Sequence, residues 1–215
     1  MKQLLIFGAN AHAERVLQLA RQSVEFESVE LVDNDRSYSQ PGFAGVPIRS
    51  REEALGIGDK RQFAAFVAMG EKHLNQDRLA AYMTIRQAGF TVAALRGPSS
   101  EIADGIRLRD NVFVDARVRV LARANIGANT WIHSGTEIGV GAKLGSSCWI
   151  SAGCVIGDGA TLGKNCTLGP NVRIGAGVAI PAWSTINESI EIKQSLARAT
   201  FIDAMFRAPV TLHEK

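Results

Sequence analysis

Aliphatic side chains return at every sixth position through the second half of this chain. Ile102, Leu108, Val114, Val120, Ile126, Ile132, Ile138, Leu144, Ile150, Ile156, Leu162, Leu168, Ile174, Ile180, Ile186 and Ile192 form an unbroken series at one spacing. Glycine follows the aliphatic at 127, 139, 145, 157, 163, 169 and 175, and small residues (Ala142, Cys148, Cys154, Ala160, Cys166) stand four places after it. An amphipathic helix needs apolar returns every three to four residues and a half-buried strand every two, so a period of six fits neither alone. It fits a β-solenoid, in which a short strand and a turn make each hexad, three hexads make a coil, and stacked coils bury the aliphatic column. About five coils are expected between residues 99 and 192.

The first half is patterned differently. Gln3 to Phe7 is a short apolar run followed by Gly8-Ala9-Asn10-Ala11-His12-Ala13 and a helical pattern to about Gln22. Val29 to Val32 closes on Asp33-Asn34-Asp35, and Phe63 to Met69 ends at Gly70 before an amphipathic stretch from about Lys72 to Gln87. Thr91 to Leu95 is the fourth strand pattern. Strands alternating with helices predict a parallel sheet with helices packed on it. Ligands of such sheets sit beyond the carboxyl ends of the strands, where a helix N-terminus favours phosphate and an acidic residue after the second strand accepts from ribose hydroxyls. The first turn carries one glycine, not a full G-x-G-x-x-G. Three segments are therefore expected: 1–98, 99–192 and 193–215. In the last, apolar residues at 192, 196, 202, 205 and 206 predict an amphipathic helix capping the open end of the solenoid.

Composition adds limits. The chain is 46% hydrophobic and 21% charged with net charge +3, and its Lys and Arg are scattered, which gives no basis for nucleic-acid binding. MKQLLIFGAN is too short an apolar run for a signal peptide or membrane helix, so a cytoplasmic protein without a membrane partner is expected. No metal-ligand cluster is visible. Cys148 and Cys166 lie eighteen residues apart, a spacing that stacked coils make compatible with a disulfide; small core residues in a reducing compartment are the favoured reading.

The FGANAHA turn, the VDND strand end, the AMG turn and the hexapeptide repeat together resemble the sialic acid O-acyltransferase (NeuD/PglD-like) family of hexapeptide-repeat sugar acyltransferases, over the chain to about residue 190. The resemblance implies a Rossmann-like N-terminal domain that binds a nucleotide-linked sugar, a left-handed parallel β-helix, a homotrimer, and acetyl-CoA lying between neighbouring β-helices. It implies a role in surface-glycan biosynthesis, with sugar-nucleotide contacts at Asn10, Ala11, His12, Asp33, Asn34 and Gly70. Trp149, which stands where the family often has a CoA-contacting histidine, is with Gly153 and Pro170 a candidate acetyl-CoA contact.

Ladders of eighteen residues give the rest. Trp131 and Trp149 fall on one edge, an exposed aromatic ladder suited to a subunit interface or a ligand. His133, with Asp115 one coil before it and Ser151 one coil after, is the candidate general base for a sugar amine or hydroxyl attacking a thioester, oriented by Asp115, with the Gly153 N–H as oxyanion donor. The family usually reads I-E-H-G/D-x-x-I-G, where this chain reads Ile132-His133-Ser134-Gly135-Thr136-Glu137-Ile138-Gly139. That register puts Ser134 in the base position, and a second register, anchored downstream, puts Val140 there. Two functions follow as expectations: an acetyl-CoA-dependent sugar N- or O-acetyltransferase, or a trimeric sugar-nucleotide-binding scaffold without catalysis.

Overall fold

The computed structural model describes residues 1–34 and 45–211, so Asp35 and the chain end from 212 lie outside the described residues. Two compact units are present: Met1–Gly70 with Asp77–Leu95, and Glu71–Gln76 with the chain from Arg96.

In the first unit, β1 (Lys2–Phe7), β2 (Phe26–Val32), β3 (Ile48–Arg49), β4 (Phe63–Val67) and β5 (Thr91–Val92) form one parallel sheet in the order β3-β2-β1-β4-β5. Central strands covered on both faces must be apolar throughout. Leu4, Leu5, Ile6 and Phe7 on β1 and Ala64, Ala65, Phe66 and Val67 on β4 are accordingly buried. Helix α1 (Ala11–Gln22) buries Ala13, Val16, Leu17 and Ala20, the i, i+3, i+4, i+7 stripe of a helix with one covered face.

Helix α2 (Arg51–Leu55) escapes a periodicity reading because it is one turn long. It is set by a capping box: Ser50 Oγ accepts from the Glu53 N–H while the Glu53 carboxylate accepts from the Ser50 N–H. Helix α3 (Gln76–Gln87) begins four residues later than the pattern predicts. His73, Leu74 and Asn75 have φ of +49°, +54° and +64°, a left-handed turn that a right-handed helix cannot include.

The second unit is built from two-residue strands on three parallel faces. Phe113–Val114, Trp131–Ile132, Trp149–Ile150, Thr167–Leu168 and Thr185–Ile186 make the first face. Glu101–Ile102 through Glu191–Ile192 make the second, and Asn125–Ile126 through Ala179–Ile180 the third. Each strand pairs with the one eighteen residues on, as the hexad period requires. From Val114 to Ile192 every aliphatic of the series is buried, each contributing about 1.5–3 kcal/mol of transfer free energy; Ile102 and Leu108, on the first coil, are only half-buried.

Corners are as regular as strands. Every sixth residue from Ser99 to Trp183 has positive φ, six of them glycine and the others Ser99, Asn111, Arg117, Arg123, Asn129, Ser147, Asn165, Asn171 and Trp183. Asparagine is the side chain best suited to that left-handed conformation. At one corner these residues stack into a buried ladder: Asn111 Nδ2 donates to Asn129 Oδ1 at 2.7 Å, and Asn129 Nδ2 donates to Ser147 Oγ at 2.9 Å. The ladder reaches Asn165, whose buried Nδ2 has no acceptor, and the next corner residue is Trp183 at φ +67°. The glycines that follow the aliphatics have a different cause. A Cβ on Gly127 would stand 2.4 Å from the Gly145 carbonyl carbon, so adjacent coils approach too closely for a side chain.

The three cysteines are buried free thiols inside the solenoid, with Cys148 Sγ on Gly163 O, Cys154 Sγ on Gly169 O and Cys166 Sγ on Pro181 O. The C-terminal capping helix is not formed: residues 193–211 contain no helix. Thr200–Ile202 instead pairs in parallel with Thr185–Ile186, and Val210–Thr211 returns antiparallel to it. The last strand of the first face presents unpaired backbone groups, and a further strand satisfies them directly where a helix cannot. Met205 and Phe206, assigned to the helix's apolar stripe, are exposed. Among the described residues no helix is long and apolar enough to cross a membrane.

Burial pushes the Cys154 thiol up to about 11. The neighbouring Cys148 thiol, then burial, push Cys166 up as well. A raised thiol pKa stabilises the fold fully below the unfolded value, near 8.5, and that contribution is lost as pH climbs through the folded value. Wild type is therefore expected to lose about 2–3 kcal/mol more than Cys154→Ala between pH 8.5 and 11 in denaturant titrations; parallel curves for the two proteins would refute this. Trp183→Asn supplies an acceptor for Asn165 and a side chain at ease with positive φ, so denaturation should show a gain of about 1 kcal/mol. A loss would show that indole packing outweighs both.

Candidate functional site

The first unit reverses its strand order between β1 and β4, and such a switch point opens a crevice at the carboxyl ends of the strands. Most of the residues expected to contact a ligand meet there. Gly8, at φ +120°, must be glycine, because a Cβ would lie 2.6 Å from Ala68 O on the neighbouring strand end. Asn10 spans the switch point. Its Oδ1 accepts from the His12 and Ala13 N–H groups (2.9 and 3.2 Å), which caps α1, and its Nδ2 donates to Ala68 O at 3.1 Å. The Ala9 N–H donates to Asp33 Oδ2 at 2.8 Å. The carboxylate after the second strand thus fixes the first turn, a role that composition of the turn does not reveal.

His12 is half-buried and lies against Gly70: a Cβ on Gly70 would stand 2.7 Å from His12 Nε2. Ala11 is the exposed first residue of α1. Asn34 is exposed, with Oδ1 accepting from the Arg51 N–H at the start of α2. Asn10, Ala11, His12, Asp33 and Gly70 therefore share one edge of the sheet. The backbone donors that a phosphate would use are partly engaged already, and the His12 imidazole lies against Gly70 beside the positive end of α1.

In the second unit the first face carries the candidate catalytic ladder. Phe113, Trp131 and Trp149 stack along it, with ring centroids 4.4 Å apart for Phe113–Trp131 and 5.3 Å for Trp131–Trp149. The exposed tryptophan ladder expected from sequence is corrected here. Trp131 is 0% and Trp149 6% exposed within the single chain. The Glu71–Gln76 segment reaches the same face, where the buried Asn75 donates from Nδ2 to Thr167 Oγ1 at 3.0 Å. Neither Asn75 nor its left-handed turn had a signal in the local sequence. Phe113 did, standing eighteen residues before Trp131.

His133 lies among these rings, 4.4 Å from Trp149 and about equally far from Phe113 and Trp131 (6.1 and 6.0 Å), and is 4% exposed. The candidate base is thus buried within the single chain. Asp115 occupies the neighbouring rung: its N–H donates to Ile132 O, and its Oδ1 accepts from the Ala116 N–H at 2.8 Å. Ser134 is half-buried, and its carbonyl accepts from the Gly153 N–H at 3.0 Å. Gly153 is consequently not an open oxyanion donor. Coil stacking engages its N–H, as it engages the N–H of most corner residues. Val140 brings no proton acceptor to the turn it occupies, where its N–H donates to Asp158 Oδ1 at 2.7 Å. Pro170 is exposed, with its carbonyl accepting from Ser189 Oγ. Among the described residues no group of three or more His, Cys, Asp or Glu is placed to hold a metal ion.

Asn10→Ala is expected to lower stability by about 1–2 kcal/mol through the lost cap and the lost Ala68 contact, and Asn10→Ser, which keeps the cap, by less. Thermal denaturation in the order wild type, Ser, Ala checks this; equal melting of all three would remove Asn10 from its bridging role.

Comparison with known proteins agrees with the fold. The bacterial transferase hexapeptide pattern (six repeats) matches residues 141–176 and 153–188, and the hexapeptide repeat of succinyl-transferase matches 117–157. No curated protein matches the chain significantly. A variant of perosamine N-acetyltransferase from Caulobacter crescentus, in complex with CoA and GDP-perosamine, superposes with a TM-score of 0.86 at 24% identity, covering 100% of this chain and 98% of that one. The acetyltransferase domain of PglB from Neisseria gonorrhoeae, with acetyl coenzyme A, gives 0.84 at 17% identity over 98% and 99%. PerB from Caulobacter crescentus, with CoA and GDP-perosamine, gives 0.72 at 25% identity over 94% of each chain. Residues 117–188 thus carry the hexapeptide repeat of bacterial transferases, on a chain with the fold of sugar-nucleotide acetyltransferases.

Proposed function

We propose that this protein transfers an acetyl group from acetyl-CoA to an amino or hydroxyl group of a nucleotide-activated sugar. The observation that carries the reading is the likeness over the whole chain to acetyltransferases holding CoA and GDP-perosamine together. In this reading the first unit is a Rossmann-like domain whose sheet order and strand-end residues Asn10, Ala11, His12, Asp33, Asn34 and Gly70 receive the nucleotide. The second is a left-handed β-helix that assembles as a trimer, with acetyl-CoA held along its coils near Trp149, Gly153 and Pro170. The reaction belongs to surface-glycan synthesis in the cytoplasm, a compartment suited to three reduced thiols.

Chemistry on this chain would use His133 as the base. As the sugar nitrogen or oxygen bonds to the thioester carbonyl carbon, imidazole takes the proton; the tetrahedral intermediate expels the CoA sulfur, which receives the proton back. Asp115, one rung away, would orient the imidazole, and Ser134 would line the same turn. No covalent enzyme intermediate is required.

A second reading has its own support. His133 is enclosed by three aromatic rings, the Gly153 N–H is engaged, and Val140 occupies one register of the base. These favour a trimeric sugar-nucleotide-binding scaffold without catalysis. Calorimetric titration with acetyl-CoA and, in parallel, with GDP and UDP separates the two. The transferase binds acetyl-CoA saturably, and His133→Ala lowers its kcat by about 10²–10⁴-fold. Nucleotide binding without acetyl-CoA binding favours the scaffold, and unchanged turnover in His133→Ala removes that residue from the mechanism.

A further inference from the structure

Arg78 is a fully buried cation in the third position of α3, at 0% exposure. Its Nη1 donates to Gly70 O at 3.1 Å and lies 3.5 Å from Met69 O. Those carbonyls belong to the chain leaving β4, where water would satisfy them without burying a charge. Removing a guanidinium from water is costly, so its use on two backbone oxygens points to a turn that must be held in one position. What that turn faces is His12: Gly70 approaches the imidazole so closely that no Cβ fits between them.

The residues that follow give an independent reason for a clamp. His73, Leu74 and Asn75 form three consecutive left-handed residues, none of them glycine, a conformation that L residues adopt singly and rarely in a run. Such a turn relaxes unless both ends are fixed. Its far end is fixed by Asn75 on Thr167. Its near end emerges from Gly70, and the hydrogen bond to Gly70 O comes from Arg78.

We infer that Arg78 is a positioning residue for nucleotide recognition: it holds the Gly70 turn against His12 and so sets the imidazole at the mouth of the crevice between β1 and β4. The inference rests on the sugar-nucleotide reading of that crevice. Arg78 itself contacts no substrate. A methionine fills similar volume but donates nothing, so Arg78→Met frees the Gly70 carbonyl and lets the turn and the His12 ring drift. Lysine keeps the charge and one donor, and Arg78→Lys restores part of the effect.

The test uses full-length protein and three readouts. Calorimetry with GDP and UDP should show at least a tenfold weaker Kd for Arg78→Met and a smaller loss for Arg78→Lys. Acetyl-CoA affinity should stay within about twofold of wild type. In imidazole nitrogen–proton NMR spectra, the His12 signals should move in Arg78→Met while those of His133 stay in place. If acetyl-CoA and nucleotide affinity fall together with melting temperature, Arg78 is a stability residue and the inference is overturned. Unmoved His12 signals with unchanged nucleotide affinity overturn it as well. If wild type binds neither nucleotide, the sugar-nucleotide reading of the crevice fails; the His12 signals then decide by themselves whether Arg78 positions the imidazole. Should Arg78→Met fail to fold, Arg78→Lys carries the same comparison.

Discussion

Coil-on-coil stacking at eighteen residues is the constraint from which the rest of the second unit follows. Each coil must turn three corners and return in register with its neighbour, so the corner residues from Ser99 to Trp183 take a left-handed conformation, and glycines such as Gly127, Gly145 and Gly163 are pressed against the next backbone. Sequence answers this demand unevenly. Glycine and asparagine hold most corners, whereas Arg117, Arg123 and Trp183 accept strain. Strain at single corners is tolerable because hydrogen bonds to the coils on either side over-determine the backbone. At Gly153, for instance, the N–H donates to the coil before, and a Cβ would meet Asn171 Oδ1 in the coil after.

The same regularity explains how far the sequence could be read. The aliphatic period located every strand from Phe113–Val114 to Glu191–Ile192, and the eighteen-residue ladder put Trp131 beside Trp149 and His133 beside Asp115. Burial of that ladder was not legible. The segment whose Asn75 reaches Thr167 on the same face, Glu71–Gln76, lies outside the repeat, and its left-handed turn is written in ordinary residues, Glu-Lys-His-Leu-Asn-Gln, with no glycine to mark it. A tryptophan ladder read as exposed, for a subunit interface or a ligand, is instead buried within the single chain.

The C-terminal segment shows a different limit. Five apolar positions between 192 and 206 satisfy a helical stripe, but periodicity describes only what a segment can present, not what is waiting for it. The strand Thr185–Ile186 offers a row of backbone groups, so Phe201 and Ile202 pair there. Likewise α2 depends on a capping box at Ser50 and Glu53, a pairing of side chains and backbone that no hydrophobic pattern announces.

Function is bounded by which polar groups the fold itself engages. In the first unit the turn amides of Ala9, His12 and Ala13 are directed to Asp33 and Asn10, so recognition of a phosphate would fall to the helix dipole and to imidazole more than to a ring of backbone donors. In the second unit the solenoid ladder engages the Gly153 N–H, and His133 sits in an aromatic enclosure of Phe113, Trp131 and Trp149. A backbone so thoroughly paired leaves side chains to carry the chemistry. His12 lies against Gly70 in the first unit, and His133 lies against the Trp149 ring in the second. Under the proposed transferase reading the chemistry falls to His133, whereas the scaffold reading needs only the crevice at His12.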